Sequence, residues 1–202
     1  MELKTLNEIE IISAPHSKIS EVDFENLTFG NVFTDHMLVC DYVDGAWQKP
    51  VIEPYAPFMI DPSAKVFHYG QAIFEGMKAY KDEQDDVWLF RPDENYHRFN
   101  KSATRMAMPE VPEDIFLGGL HRLLEIEKEW VKKGKGNTLY IRPFMIATGH
   151  GVIAAPSQEY RFMIILSPAR AYYSGEVKVI IAEHYSRAAN GGIGAAKAAG
   201  NY

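Results

Sequence analysis

Arg187-Ala188-Ala189-Asn190-Gly191-Gly192-Ile193-Gly194-Ala195-Ala196-Lys197-Ala198-Ala199-Gly200-Asn201-Tyr202 is the stretch on which the reading of this chain turns. One lysine stands in a run of Gly and Ala, with an arginine before it and a tyrosine after it. Apart from Lys197, Asn190 is the only polar side chain between Ala188 and Ala199. So little side-chain bulk lets a flat ligand come close, and the lysine can then act as a carbonyl-trapping amine. The bland alternative is a tail of small residues whose lysine points into water. Composition alone favours it, because Gly-rich segments are commonly flexible connections. Two phosphate-loop templates fail here. A P-loop needs Gly before the lysine and Ser or Thr after it, but Ala196 and Ala198 flank Lys197. A dinucleotide fingerprint starting at Gly192 needs Gly or Ala at the position held by Lys197.

Working outward, the preceding chain reads as strands, then helices, then strands. Residues 1–35 carry few periodic cues and read as arm and loop. His36–Val43 is a β-type run, and Asp44-Gly45 after it is a hairpin signal leading to a second strand around Ala46–Ile52. Residues 76–80 and 86–90 read as paired strands turning at 82–85. Pro92-Asp93-Glu94 starts a helix with acidic residues where the macrodipole favours them, and Tyr96, Phe99, Ala103 and Met106 form its apolar stripe. Pro112-Glu113-Asp114 opens a second helix, with Phe116, Leu120, Leu123, Leu124, Glu127, Trp130 and Val131 at helical spacing and Gly134 beyond its end. Thr138–Ala147 and Tyr160–Ser167 read as buried strands, Pro168 to Glu176 as a connection, and Val177–Ala182 as one more strand. Segregated strands and helices predict an α+β domain over residues 1–170, a connector over 171–176, and the beginning of a further domain over 177–202.

Composition sets the outer limits. With 202 residues, of which 47% are apolar, the chain can bury a sizeable core. Its formal charge of −6 argues against a general nucleic-acid or anionic-membrane binder, since both need a basic face. A single cysteine, Cys40, excludes an intrachain disulfide and a Cys-rich zinc site and fits a reducing compartment. Met1–Glu10 has no apolar run of signal length, and no window approaches eighteen uninterrupted apolar residues, so the expected setting is the cytoplasm. There is no Gly-x-Ser-x-Gly elbow and no His-Glu-x-x-His spacing, and no metal site is expected.

Polar residues set in apolar strands are the remaining candidates. Tyr140 and Arg142 alternate and share one strand face. A guanidinium there needs an anion, either a structural Asp or Glu or a ligand carboxylate held bidentately. Arg98 carries the same choice, with a solvated helix face as its default. Tyr69 and Phe74 by themselves read as core, and His68 as a satisfied core histidine.

Taken in order, Phe67-His68-Tyr69-Gly70, Phe74-Glu75-Gly76-Met77-Lys78-Ala79-Tyr80, Leu89-Phe90-Arg91-Pro92, Asn95-x-x-Arg98, Leu139-Tyr140-Ile141-Arg142-Pro143 and Arg187–Tyr202 form a combination. From about Val32 to Tyr202 the chain resembles the branched-chain amino-acid aminotransferases, pyridoxal-phosphate enzymes of fold type IV. The resemblance reverses the bland reading of the terminal lysine.

The resemblance implies transfer of the amino group of L-Leu, L-Ile or L-Val to 2-oxoglutarate. It makes Lys197 the residue that carries pyridoxal 5′-phosphate and moves the substrate proton, for which its amine must be neutral near pH 7. Tyr202 is similar to the tyrosine at the cofactor's phenolic oxygen, Arg98 to its phosphate ligand, and Arg187 to another arginine near the cofactor. Tyr140 is similar to the tyrosine that contacts the substrate carboxylate, Arg142 to a nearby arginine, and Tyr69, Phe74 and Tyr172 to walls of the aliphatic pocket. Such walls would favour branched side chains by burying about 0.8 kcal/mol per methylene. The family works as a homodimer or larger assembly, with Val152 and Ala154 in the loop that closes the partner's site. Family members continue well beyond the matching tyrosine, so the resemblance implies an acidic pyridinium partner and further phosphate contacts outside these residues, and little activity for the 202 residues alone. The rivals are another fold type IV enzyme, such as a D-amino-acid aminotransferase or an aminodeoxychorismate lyase, and a non-catalytic dimerisation or binding module.

Overall fold

A computed structural model of the chain describes residues 9–170 and 175–202. At the Asp44-Gly45 turn both residues take positive φ, 53° and 79°, as a hairpin with right-handed twist requires and as Asp and Gly tolerate. The strands in chain order are β1 (Glu10–Ile11), β2 (His36–Val43), β3 (Ala46–Trp47), β4 (Val51–Pro54), β5 (Ala72–Phe74), β6 (Met77–Lys81), β7 (Val87–Leu89), β8 (Thr138–Ala147) and β9 (Tyr160–Ala169). They form one sheet in the order β1-β4-β2-β9-β8-β6-β7, with β3 on β2 and β5 on β8. Among the described residues only β1 and β4 pair in parallel.

The centre of the sheet is the β8–β9 pair, in unbroken antiparallel register from Thr138↔Ala169 to Ala147↔Tyr160. Side chains alternate across it. Leu139, Ile141, Met145 and Ala147 of β8 meet Phe162, Ile164 and Leu166 of β9 in the main core. That face is covered by α2 (Pro92–Arg105) and α3 (Gly119–Ile126), through residues such as Phe99, Phe116, Leu120 and Leu123. The opposite face holds a smaller apolar cluster, Met37, Val39 and Met163, with Phe144 and Ile165 packed against it. Tyr140 and Arg142 lie on this second face, because they alternate with Leu139 and Ile141. Burial on both sides explains why β2 opens with five buried residues in succession. The segregated arrangement is the expected α+β one.

Several sequence expectations need correction. The first 35 residues are not featureless: β1 docks on β4, and a 3₁₀ turn spans Ile19–Glu21. The strand expected over Ala46–Ile52 is split into β3 and β4, which pair with different parts of β2. The second helix is not continuous. It begins as a π-helical turn at Asp114–Gly118, passes into α3, and ends at Ile126 before a 3₁₀ turn at Lys128–Trp130. The break falls beside Glu127, whose buried carboxylate faces His36 of β2. Pro168 does not start the connection, since β9 runs on to Ala169 and pairs Pro168 with Leu139.

Val177–Ala182 is not a strand. Val177, Val179, Ile180 and Ile181 are exposed and find no sheet neighbour among the described residues, and β-branched residues make a strand only where a neighbour supplies the ladder. The expected connector falls partly on residues 171–174, outside the described residues. A short helix that sequence periodicity did not mark, α1 (Lys65–Tyr69), ends on Gly70 in the left-handed region with φ of 61°.

Candidate active site on the open sheet face

Phe74 is the fixed point of the site. Its strand, β5, pairs with β8 so that Phe74 lies opposite Phe144, which puts it on the same face as Arg142. The terminal segment returns to this edge. Ile73 and Ala198 form an antiparallel bridge, and the Phe74 amide donates to the Lys197 carbonyl at 3.1 Å. The Lys197 amide in turn donates to Ser102 Oγ of α2 at 2.9 Å. Ala196 and Ala198 are buried on either side, so Lys197 is held through its backbone while its side chain leaves the packed edge.

The amine lies among rings. Lys197 Nζ is 4.8 Å from the Phe74 ring centre and 5.1 Å from that of Tyr202, and it reaches Tyr202 Oη at 3.5 Å, the outer limit of a hydrogen bond. Phe74 and Tyr202 meet edge to face at 5.1 Å. The Arg142 guanidinium also lies close, 4.7 Å from the Phe74 ring centre, and donates to Tyr140 Oη from Nη2 at 2.8 Å. The structural Asp or Glu that sequence reasoning allowed for Arg142 is not among the ion pairs of the described residues, and Tyr140 and Phe74 are its observed neighbours. Tyr140 itself packs edge to face on Phe29 at 5.0 Å. Arg187 comes within 5.6 Å of the Tyr202 ring centre and donates weakly to the Gly194 carbonyl at 3.4 Å.

Arg98 is not on a merely solvated helix face. Its Nε and Nη2 donate to the two oxygens of Glu75 at 2.6 and 2.8 Å, and that carboxylate is completely buried. Asn95 Nδ2 and the Gly76 amide also donate to Glu75. The Arg98 pKa is raised by those hydrogen bonds to Glu75, against desolvation, with smaller help from the charges of Glu75 and Tyr202. Nη1 and the far proton of Nη2 take no part in these bonds, so the fork retains donors for an anion.

Phe74, Tyr140, Arg142, Lys197, Tyr202 and Arg187 are therefore linked through direct contacts, and Arg98 is tied to the same region through Glu75 and Tyr202. Tyr69 is not joined to Lys197 by any such contact. Its hydroxyl donates to the Val152 carbonyl in the loop that follows β8. Tyr172 lies outside the described residues. Sequence reasoning missed Glu75 as the anchor of Arg98, Ser102 as the anchor of the Lys197 backbone, and Phe29 beside Tyr140. The spacing Asn95-x-x-Arg98, which places both side chains on one helix face, was the available signal for a shared carboxylate.

The donor set suits pyridoxal phosphate: an amine free of any carboxylate contact among the described residues, a phenol beside it, two arginines nearby, and an aromatic floor. Gly and Ala leave the approach to the amine open.

Comparison with known proteins finds branched-chain aminotransferases among its relatives. Branched-chain-amino-acid transaminase 1 of Bacillus subtilis (strain 168) is 51% identical over 185 residues, which is 89% of this chain and 52% of that protein. The branched-chain-amino-acid aminotransferase of Mycolicibacterium smegmatis is 45% identical over 189 residues, 91% of this chain and 51% of that protein. The chain spans about half the length of the curated relatives it matches. No protein-family model matches it. Among solved structures, an aminotransferase from Brucella abortus bound to the co-factor PLP superposes with a TM-score of 0.53 over 82% of this chain and 54% of that one, at 18% identity. That likeness shows a shared fold, in agreement with the fold-type-IV expectation.

Proposed function

We propose that this chain, a homologue of the branched-chain amino-acid aminotransferases over 89% of its length, forms part of a pyridoxal-phosphate-dependent enzyme that moves the amino group of L-Leu, L-Ile or L-Val to 2-oxoglutarate. The observation that carries the reading is the placement of Lys197. Its backbone is fixed to β5 and α2, and its amine stands beside two aromatic rings with a phenol within reach.

When bound, pyridoxal phosphate supplies an aldehyde for amines to condense with and a ring that takes up the electrons of a broken Cα–H bond. The chain's own residues do the rest. Lys197 Nζ removes the proton from the substrate Cα and returns it elsewhere, its reach set by a backbone held to Phe74 and Ser102. Tyr202 Oη orients that amine. Arg98, its fork preset by Glu75, holds the phosphate, and Arg187 adds positive charge on the Tyr202 side. Tyr140 and Arg142, hydrogen-bonded to one another, present a hydroxyl and a guanidinium to the substrate carboxylate. Phe74 supplies an apolar wall, and Tyr69 and Tyr172 supply further walls.

The reading includes a homodimer or larger homo-oligomer, a cytoplasmic setting, and division into a domain over 1–170 and the beginning of another over 177–202. Supporting the setting are the single, unpaired cysteine and the fact that no described helix is long and apolar enough to cross a membrane. Turnover of L-leucine, D-alanine and aminodeoxychorismate by the full-length protein loaded with pyridoxal phosphate tests the assignment. Preference for L-leucine is expected. Activity on D-alanine or aminodeoxychorismate without activity on L-leucine would move the chain to a different fold-type-IV enzyme.

A further inference from the structure

Lys65 is a buried cation outside the candidate site. It is 6% exposed and enters no ion pair among the described residues. A buried ammonium without an anion is costly unless each of its three protons finds an acceptor. Here the acceptors are backbone carbonyls of one loop: Ala155 at 2.7 Å, Ile153 at 3.3 Å and Pro156 at 3.4 Å. The Lys65 amide also donates to the Gly149 carbonyl at 3.1 Å.

Nearby bonds brace the same loop from the same segment. Ser63 Oγ accepts from the Gly151 amide at 3.0 Å, Gln71 Oε1 accepts from the Ser157 amide at 3.2 Å, and Tyr69 donates to the Val152 carbonyl. The loop from 149 to 157 lacks regular structure, so its carbonyls have no ladder to satisfy them. Lys65 collects three of them at one point. The outcome is a fixed loop that presents Val152 and Ile153, 65% and 72% exposed, next to Tyr69. The hollow of about 340 Å³ beside it is lined by Tyr69, Gln71 and residues 154–156.

We propose that Lys65 is a positioning residue: its buried ammonium gathers the carbonyls of Ile153, Ala155 and Pro156 and so sets where the apolar edge of Val152 stands against Tyr69. Given the reading of Tyr69 as a wall of the aliphatic pocket, on which this part rests, Lys65 governs how closely that wall fits a branched side chain without touching substrate.

The test uses Lys65→Met, which removes all three donors, and Lys65→Gln, which keeps two and serves alone if the first does not fold. Amide hydrogen exchange over residues 149–157 should accelerate at least about tenfold in Lys65→Met and by less in Lys65→Gln, with β8 and β9 unchanged. Unchanged protection of the loop, or the reverse order, overturns the proposal. In steady-state kinetics KM for L-leucine should rise about five- to tenfold with kcat within about twofold, and the effect should shrink from L-leucine to L-valine. A mobile loop with KM unaltered overturns the link to the pocket. A full-length wild-type protein inactive on L-leucine overturns the functional reading instead, and leaves the exchange result to judge Lys65.

Discussion

Glu75, completely buried, grips the guanidinium of Arg98 through both carboxylate oxygens, and Arg98 is the more exposed partner, with 56% of its side chain accessible. A buried carboxylate held by a half-exposed arginine fixes the direction of the arginine's remaining donors. Replacing Arg98 by Ala leaves Glu75, among the described residues, with only Asn95 and Gly76 as donors, and should cost about 3 kcal/mol of stability, at the lower end for breaking such a pair because one partner is exposed. Arg98→Lys keeps the charge but not the fork. Urea unfolding should therefore show Arg98→Lys between wild type and Arg98→Ala, and titration with pyridoxal phosphate should show both variants binding at least about tenfold more weakly.

Gly76 lies beneath Tyr140. A Cβ added at Gly76 would stand 2.3 Å from Tyr140 Oη and 3.1 Å from Cζ, so the ring must move. Because Arg142 donates to that hydroxyl, Gly76→Ala should disturb both residues proposed to meet the substrate carboxylate. An unfolding cost of about 1–3 kcal/mol is expected, together with a fall in kcat/KM for L-leucine. In a Tyr140→Phe background the unfolding cost of Gly76→Ala should be smaller, since the closest atom is gone, and a double-mutant cycle measures the difference.

Much of the sheet was legible because its signals are local. The Asp44-Gly45 turn and the alternation in Thr138–Ala147 depend on residues a few positions apart, and the turn and the strand stand where the pattern put them. The helix at Pro92 was legible for the same reason. What failed depended on distant partners. Glu127 fitted a helical stripe in sequence, but its buried neighbour is His36, ninety-one positions away, and the helix stops there. Val177–Ala182 has strand composition without a strand to pair with among the described residues. In the site, the residue types in Phe74, Tyr140, Arg142 and Lys197 were readable. The bridge of Ala198 to Ile73 that brings them together was not, because it joins segments 125 positions apart.

Asp35 fastens the N-terminal arm. Burial opposes its ionisation, but the Lys18 amide, the Ser17 hydroxyl and the Trp130 indole donate to it, and its pKa falls below the ordinary 3.8. A depressed carboxylate stabilises the fold fully above its unfolded pKa, and that contribution is lost as pH falls through the folded value. Wild-type unfolding free energy should therefore drop as pH falls below 3.8, and Asp35→Asn should flatten that part of the profile. At pH 7 the same substitution should cost about 2 kcal/mol, the scale of hydrogen bonds to a charged group.

Cys40 is a buried thiol in β2, and burial, followed by the charges of Asp41 and Asp114, pushes its pKa up to about 12. The thiolate is the reactive form, so native protein at pH 8 should resist a thiol-specific reagent over hours. Adding denaturant should expose one equivalent of thiol at once.

The claim on which the account rests is that Lys197 carries the cofactor. Borohydride reduction of the protein loaded with pyridoxal phosphate, followed by peptide mass mapping, tests it most directly. A pyridoxyl group on Lys197, absent from Lys197→Ala while the variant's thermal unfolding is unaltered, is the predicted result. The group fixed on another lysine, or labelling and the visible absorbance both surviving in Lys197→Ala, would contradict it.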